Sequence, residues 1–163
     1  MTCPPLLAGA LLALGVAGCT EPVRTTTAEP AFYRDLGSPS ARVDAEAARA
    51  TISAYRLNSG LGTLKLDPAL QAAAEAEARA MAAADKPSSA DAVKRKLAAS
   101  GLSGTEVNLS AGYRRMAEAF SGWRDSEQHN KVMKASRATR MGIATAYAPG
   151  SKYKVYWALV LAP

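Results

Sequence analysis

The sequence predicts an α+β domain in which helices pack on a small antiparallel sheet. Apolar residues recur at helical spacing through much of residues 44–123, whereas the last part of the chain alternates in two segments joined by a turn. A run of helices followed by a hairpin is typical of the α+β class. The chain has 163 residues, of which 48% are apolar and 21% charged, so we expect one domain with one core.

The first 18 residues are typical of an export signal. Residues 6–17 form an apolar run that is short for a membrane span. The run ends in "VAGC", which resembles a bacterial lipobox, a motif in which a cysteine after small residues is acylated and becomes the new N-terminus. We therefore expect lipidated Cys19 to anchor the mature protein in a membrane. The alternative is a buried N-terminal helix that contains a free cysteine.

This signal predicts an exported protein held in the cell envelope, at the outer membrane, on the periplasmic side or exposed on the surface. The residue after Cys19 is Thr20 and not Asp, which in a bacterium with two membranes resembles proteins sent to the outer membrane. Residues 19–42 are rich in Pro, Thr and Ser and predict a tether, followed by a domain at residues 43–163. Because Cys3 lies within the signal, no internal disulfide is expected.

Four helices are predicted from periodicity and from their end signals. In the first of them, Ala48, Ile52 and Tyr55 share one face. The second begins after Asp67, a residue type that caps helix N-termini. The four predicted helices cover about residues 44–59, 68–85, 88–101 and 116–123.

Three strands are predicted, at residues 105–110, 140–147 and 152–161. The last two alternate apolar and polar residues around a turn, which indicates an antiparallel hairpin. Between the last helix and this hairpin, Ser126 is expected to cap a short helical turn that holds His129. Both tryptophans are expected to be core anchors, because the sequence has few other large aromatic residues.

The charge distribution is uneven. The net charge is +6, and after Glu127 the chain has six basic residues and no acidic one. Such a field favours anionic partners, such as phospholipid head groups, although a solvated basic surface explains it equally well. A salt-sensitive adaptor on anionic membranes is therefore one functional class to consider. Nucleic acid is not an expected partner of an exported protein.

Two stretches carry a family resemblance. The segment "ISAYRLNSGLGTLKLDPALQAAAEAEARAMA" and the later series "VNLSAGY", "AFSGWRDSEQHNKVM", "TRMGIATAY" and "YWALVLA" resemble bacterial members of the CAP superfamily, named for cysteine-rich secretory, antigen 5 and pathogenesis-related proteins. The resemblance runs from about residue 44 to residue 163. It implies an α-β-α sandwich, which here would have about four helices on a small, mainly antiparallel, three-stranded sheet.

Many members of this family carry a pocket of two histidines and two acidic residues that can hold a divalent metal. The resemblance places His129 at one histidine position, and no histidine is present at residues 86–90, where the other belongs. Val107 takes the place of the Glu in the family's Gly-Glu-Asn motif, since Asn108 matches its Asn, and Glu106 is offset by one residue.

The second acidic position of the family falls on Ser126, with Asp125 beside it. Three of the four pocket residues are therefore replaced, and we expect neither a metal nor a cofactor. A zinc site would need at least three ligands, so His129 would have to recruit Asp125, Glu127 or Glu106.

Three roles remain open for His129, the only histidine of the chain. It could bind metal with nearby carboxylates, act in a degenerate hydrolase together with Ser126 or Asp125, or stabilise its helical turn by bonding to Asp125 or the backbone. We favour the third role and expect no catalytic residue. The predicted protein is thus a lipid-anchored, non-catalytic binding module for a hydrophobic ligand, an envelope component or a protein partner. A hydrolase acting on envelope polymers or peptides is the alternative.

Overall fold

A computed structural model describes residues 29–163 of the chain. The predicted signal, its lipobox with Cys19 and the first part of the predicted tether lie outside the described residues. Among residues 29–163, no helix has both the length and the apolar character needed to cross a membrane.

The sheet has four strands and confirms the predicted α+β class. The strands of residues 29–163 are β1 (Lys65–Leu66), β2 (Glu106–Ala111), β3 (Arg140–Tyr147) and β4 (Val155–Ala162). Their order in the sheet is β1-β3-β4-β2. The β3–β4 and β4–β2 pairs are antiparallel, whereas β1 runs parallel to β3. The sequence predicts only three strands, because β1 is a two-residue element too short for an alternating pattern to mark.

Five helices surround this sheet. They are α1 (Ala45–Leu57), α2 (Pro68–Ala84), α3 (Ala90–Ala99), α4 (Met116–Asp125) and α5 (Glu127–Met133). The first four match the predicted helices, and the predicted helical turn around His129 is the seven-residue α5. Asp67 caps α2 as predicted, because its carboxylate accepts hydrogen bonds from the backbone N–H groups of Ala69 and Leu70 at 2.9 and 3.0 Å.

The sheet separates two apolar clusters, which gives the α-β-α sandwich. Helices α1, α4 and α5 contribute to the cluster on one face, and α2 and α3 to the cluster on the other. Strand β4 is buried along its whole length because helices cover both of its faces. Trp123 and Trp157 are fully buried core anchors, as predicted, and their rings meet edge to face with centroids 6.0 Å apart.

Residues 29–42 lie on the domain along part of their length. Leu36 is buried, and its backbone N–H donates to the carbonyl of Arg114 at 2.8 Å. The guanidinium of Arg114 also pairs with the carboxylate of Asp35 at 2.7 Å, and the ring of Phe32 packs against that of Phe120. The C-terminal part of the predicted tether is therefore docked on the folded unit.

Candidate functional site

The residues at the family's pocket positions lie where α5 packs against β2. Asn108 is fully buried on β2, and its Nδ2 donates to the backbone carbonyl of His129 at 3.0 Å. Its Oδ1 is also buried and accepts no hydrogen bond from residues 29–163. A buried acceptor without a donor is destabilising by about 1–3 kcal/mol. Asn108 therefore fixes α5 on the sheet while one of its own polar atoms is left unsatisfied.

The imidazole of His129 is half-buried, and this burial lowers its pKa below the ordinary value for histidine. Within residues 29–163 the ring takes part in no hydrogen bond and no ion pair. The predicted bond to Asp125 is absent, because the Asp125 carboxylate is exposed and accepts from Arg124 Nε at 2.9 Å. It is the backbone carbonyl of His129, and not its ring, that stabilises the packing of α5.

Ser126 lies at the junction of α4 and α5. Its extended backbone, with φ −92° and ψ 119°, places it at the N-cap of α5, and its carbonyl accepts from Asn130 N at 2.8 Å. Its hydroxyl makes no capping bond, so the prediction that this oxygen caps the helix is wrong. Among the described residues, no hydrogen bond joins Ser126, Asp125 and His129. These three residues are close in the sequence, but they do not form a triad.

The two candidate acidic positions on β2 also lie apart from His129. Val107 packs into the apolar cluster beneath α2 and α3, on the sheet face opposite to α5. The carboxylate of Glu106 pairs with the ammonium of Lys94 from α3 at 2.9 Å. Alternation along β2 puts the side chain of Glu106 on the same face as Asn108 and opposite to Val107. Because β2 is an edge strand, the carboxylate of Glu106 still reaches Lys94.

A buried cation near α5 could not be anticipated from any motif. Arg56 of α1 is fully buried, and its guanidinium donates to the backbone carbonyls of Gly62, Met133, Ala135 and Ala138 at 2.8–2.9 Å. No carboxylate of residues 29–163 pairs with it. The available signal was the spacing of Arg56 from Ala48 and Ile52, which puts it on the buried stripe of α1.

A cavity in the described part of the chain lies at the other edge of the sheet. It has a volume of about 480 Å³ and is bounded by residues 39–43, by α2 and by the second half of β3. We call it the edge cleft. Gln71 of α2 lines it, and Arg42, Glu75 and Arg79 supply its charges. It does not include His129, because β2 and the outer side of β3 are opposite edges of the sheet.

Comparison with protein families matches residues 49–161 to the cysteine-rich secretory protein (CAP) family. The chain belongs to this family. The match begins within α1 and ends within β4, which confirms the resemblance seen in the sequence. No curated protein matches the chain.

Solved structures show the same fold as this CAP domain. A cysteine-rich secretory protein from Staphylococcus aureus aligns with a TM-score of 0.59 and 18% identity, over 72% of this chain and 37% of that one. An extracellular protein with an SCP domain from Bacillus anthracis gives 0.59 and 18%, over 72% and 39%. An outer surface protein from Borrelia burgdorferi gives 0.61 and 12%, over 72% and 90%. The chain thus matches less than half of the first two proteins.

The residues present in this CAP domain do not fit the divalent metal of the family pocket. A metal site needs three or more side chains of the ligating types at one point. Within residues 29–163, no three His, Cys, Asp or Glu side chains are grouped in that way. Around His129, Glu127 is paired with Lys131 and Asp125 with Arg124, and the strand positions carry Val107 and an ion-paired Glu106.

Proposed function

We propose that this CAP domain is exported, anchored through lipidated Cys19, and acts as a non-catalytic binding module. The observation that carries the proposal is the state of His129. Its imidazole has a lowered pKa and no acid or nucleophile of residues 29–163 bonded to it, whereas histidine-dependent catalysis relies on an oriented imidazole beside the group it activates. Asp125, which could have oriented the imidazole, pairs with Arg124, and among residues 29–163 no hydrogen bond joins the imidazole to the Ser126 hydroxyl.

Two further observations support the binding role. The donor set around His129 does not fit a metal, so metal-assisted hydrolysis has no residues to support it. The edge cleft falls in the range of volumes that ligand sites occupy, about 300–1,000 Å³, and it is independent of His129. Ligands consistent with the proposal are a hydrophobic molecule, an envelope component or a protein partner.

The anchoring part of the proposal rests on the "VAGC" motif and on the apolar run before it. Relatives in the fold described as extracellular, or as an outer surface protein, support an exposed location. The chain offers a matched control for this part, because Cys3 and Cys19 are its only cysteines. Metabolic labelling with an alkyne fatty acid in a bacterial host should label the wild type and Cys3→Ala but not Cys19→Ala. Equal labelling of all three variants would contradict anchoring through Cys19.

The binding part can be tested by native mass spectrometry of the protein isolated from the envelope of its own host. We expect a bound non-metal ligand or partner, and no divalent ion. A retained divalent ion, or hydrolysis of ester or peptide substrates that is lost in both His129→Gln and Ser126→Ala, would contradict a non-catalytic role. Thermal unfolding of the two variants, measured in parallel, separates loss of activity from loss of fold.

A further inference from the structure

The edge cleft exposes the part of β3 that has no neighbouring strand on its outer side. Strand β1 pairs only with Arg140 and Met141 of β3, so residues 143–147 form a free edge. In an antiparallel ladder, alternate residues direct their N–H and C=O groups away from the partner strand. Met141 accepts from Asp67 N on the β1 side, which places residues 143, 145 and 147 in the same outward set.

Gln71 occupies the first position of this edge in the way a strand would. Its Nε2 donates to the carbonyl of Ile143 at 2.9 Å, and its Oε1 accepts from the N–H of Ile143 at 3.1 Å. One side-chain amide thus replaces the main-chain groups of one residue of a neighbouring strand. The next outward groups, on Thr145 and Tyr147, line the cleft and receive no hydrogen bond from residues 29–163.

The charges around these groups are mostly positive. Arg42 is exposed, and its guanidinium donates to the carbonyls of Pro39 and Ala41, which hold it in place without neutralising it. Arg79 is exposed and lies 3.8 Å from the carboxylate of Glu75, a loose contact that solvent screens. Two cations and one anion therefore border the cleft, and an acidic group on a ligand would complement them.

We propose that the edge cleft binds an extended peptide segment that carries an acidic side chain and adds to β3 as a further strand. The outward N–H and C=O groups of Thr145 and Tyr147 supply main-chain hydrogen bonds, and Arg42 and Arg79 recognise the acidic side chain. A strand edge with unpaired N–H and C=O groups is a template for such strand addition. This inference rests on the proposed binding function and names its partner class.

The first experiment selects ligands for the full chain, purified in detergent, from a phage-displayed library of linear hexapeptides. We expect enriched peptides to contain Asp or Glu and to bind as synthetic acetylated amides. N-methylation at alternate backbone positions removes strand donors, so at one of the two registers it should weaken binding about tenfold or more. The N-methylated peptides leave the protein unchanged, so this comparison does not depend on the folding of any variant.

Variants of the protein then locate the site. Thr145→Pro removes an outward N–H that the fold does not use, which an edge strand tolerates, and it should weaken binding about tenfold. Thr145→Ala keeps that N–H and should bind as the wild type does. Arg79→Glu should weaken binding about tenfold, whereas Arg95→Glu, the same change on the exposed face of α3, should not.

The outcomes separate this inference from the proposed function. Failure to enrich any peptide, or equal binding by Thr145→Pro and the wild type, would overturn the peptide site and leave the binding function intact. A dimer of the wild type that Thr145→Pro dissociates would overturn it in favour of a second copy as the occupant. Mass spectrometry of the peptide after incubation with the protein tests the proposed function separately. Cleavage of the peptide would overturn the non-catalytic role but would not contradict the peptide site.

Discussion

Helix α5 is held by two buried polar side chains that differ in how well they are satisfied. At its C-terminal end, the guanidinium of Arg56 donates to four carbonyls, one of them that of Met133, the last residue of the helix. Near its start, Asn108 donates to the carbonyl of His129, and its Oδ1 has no hydrogen-bond partner among residues 29–163. The guanidinium of Arg56 has several hydrogen-bond acceptors, as a residue with a structural role does. Asn108 lies where related proteins have a functional pocket, and its polar groups are only partly used.

The strongest test of this comparison is the removal of Arg56. We expect Arg56→Leu to lower the free energy of unfolding by about 3–5 kcal/mol, because it leaves several carbonyls without donors in a buried region. Arg34→Leu, at an exposed position, should change it by less than about 0.5 kcal/mol. Urea unfolding measures both. A cost for Arg56→Leu as small as that of the control would mean that water or another group replaces the guanidinium.

A smaller loss is expected at Asn108. Asn108→Ala removes one hydrogen bond but also removes a buried acceptor that has no partner, so it should cost only about 1–2 kcal/mol. Ser110→Ala, on the same strand, removes the acceptor for Trp123 Nε1 and leaves a buried donor unpaired. It should cost at least as much as Asn108→Ala. If Asn108→Ala proves as costly as Arg56→Leu, the Oδ1 of Asn108 has a partner after all, and the contrast between the two supports fails.

The pH dependence of stability reports on His129. Burial lowers its pKa in the folded state, so the unfolded state binds a proton more readily than the folded state does. The free energy of unfolding should therefore fall as the pH drops from about 6.5, the ordinary pKa of histidine, towards 5. His129→Gln should remove this part of the dependence, since no other histidine is present. Parallel pH dependence of both proteins in urea unfolding would contradict the buried, neutral imidazole.

The smallest effect is expected at Asp125. Its pKa is lowered by the hydrogen bond from Arg124, but the pair is exposed and solvent screens it. Asp125→Ala should leave the midpoint of urea unfolding unchanged and leave the titration of His129, followed by NMR, at the same pH. A shifted titration would show that the two side chains interact in solution, which would restore an acid partner to the histidine.

The sequence predicted the elements whose patterns are long, and missed those that depend on contacts across the chain. Alternation in residues 140–147 and 152–161 indicated the hairpin, because each of these segments is long enough to show a period of two. Strand β1 was missed because two residues have no period, and its existence depends on Arg140 and Met141 far along the chain. The role of Arg56 depends likewise on carbonyls that are more than seventy positions away.

At the site, the offset of Glu106 from the family position was predictable, since it follows from strand geometry alone. The missing bond between Asp125 and His129 was not predictable, because Asp125 also has a basic neighbour in Arg124 and the sequence does not say which of them it contacts. The edge cleft was also missed. It depends on Gln71, one glutamine in an alanine-rich helix. Only the hydrogen bonds between the side chain of Gln71 and the main chain of Ile143 show that this glutamine takes the place of a neighbouring strand.

The docking of residues 32–36 on the domain limits the length of the linker between the membrane anchor and the folded domain. If Cys19 carries the anchor, Phe32 is the thirteenth residue after it and already contacts the aromatic ring of Phe120. Even when fully stretched, that many residues reach no further than about 45 Å. The domain would then stay within this distance of the bilayer. Any ligand that it binds must enter that layer or be anchored there as well.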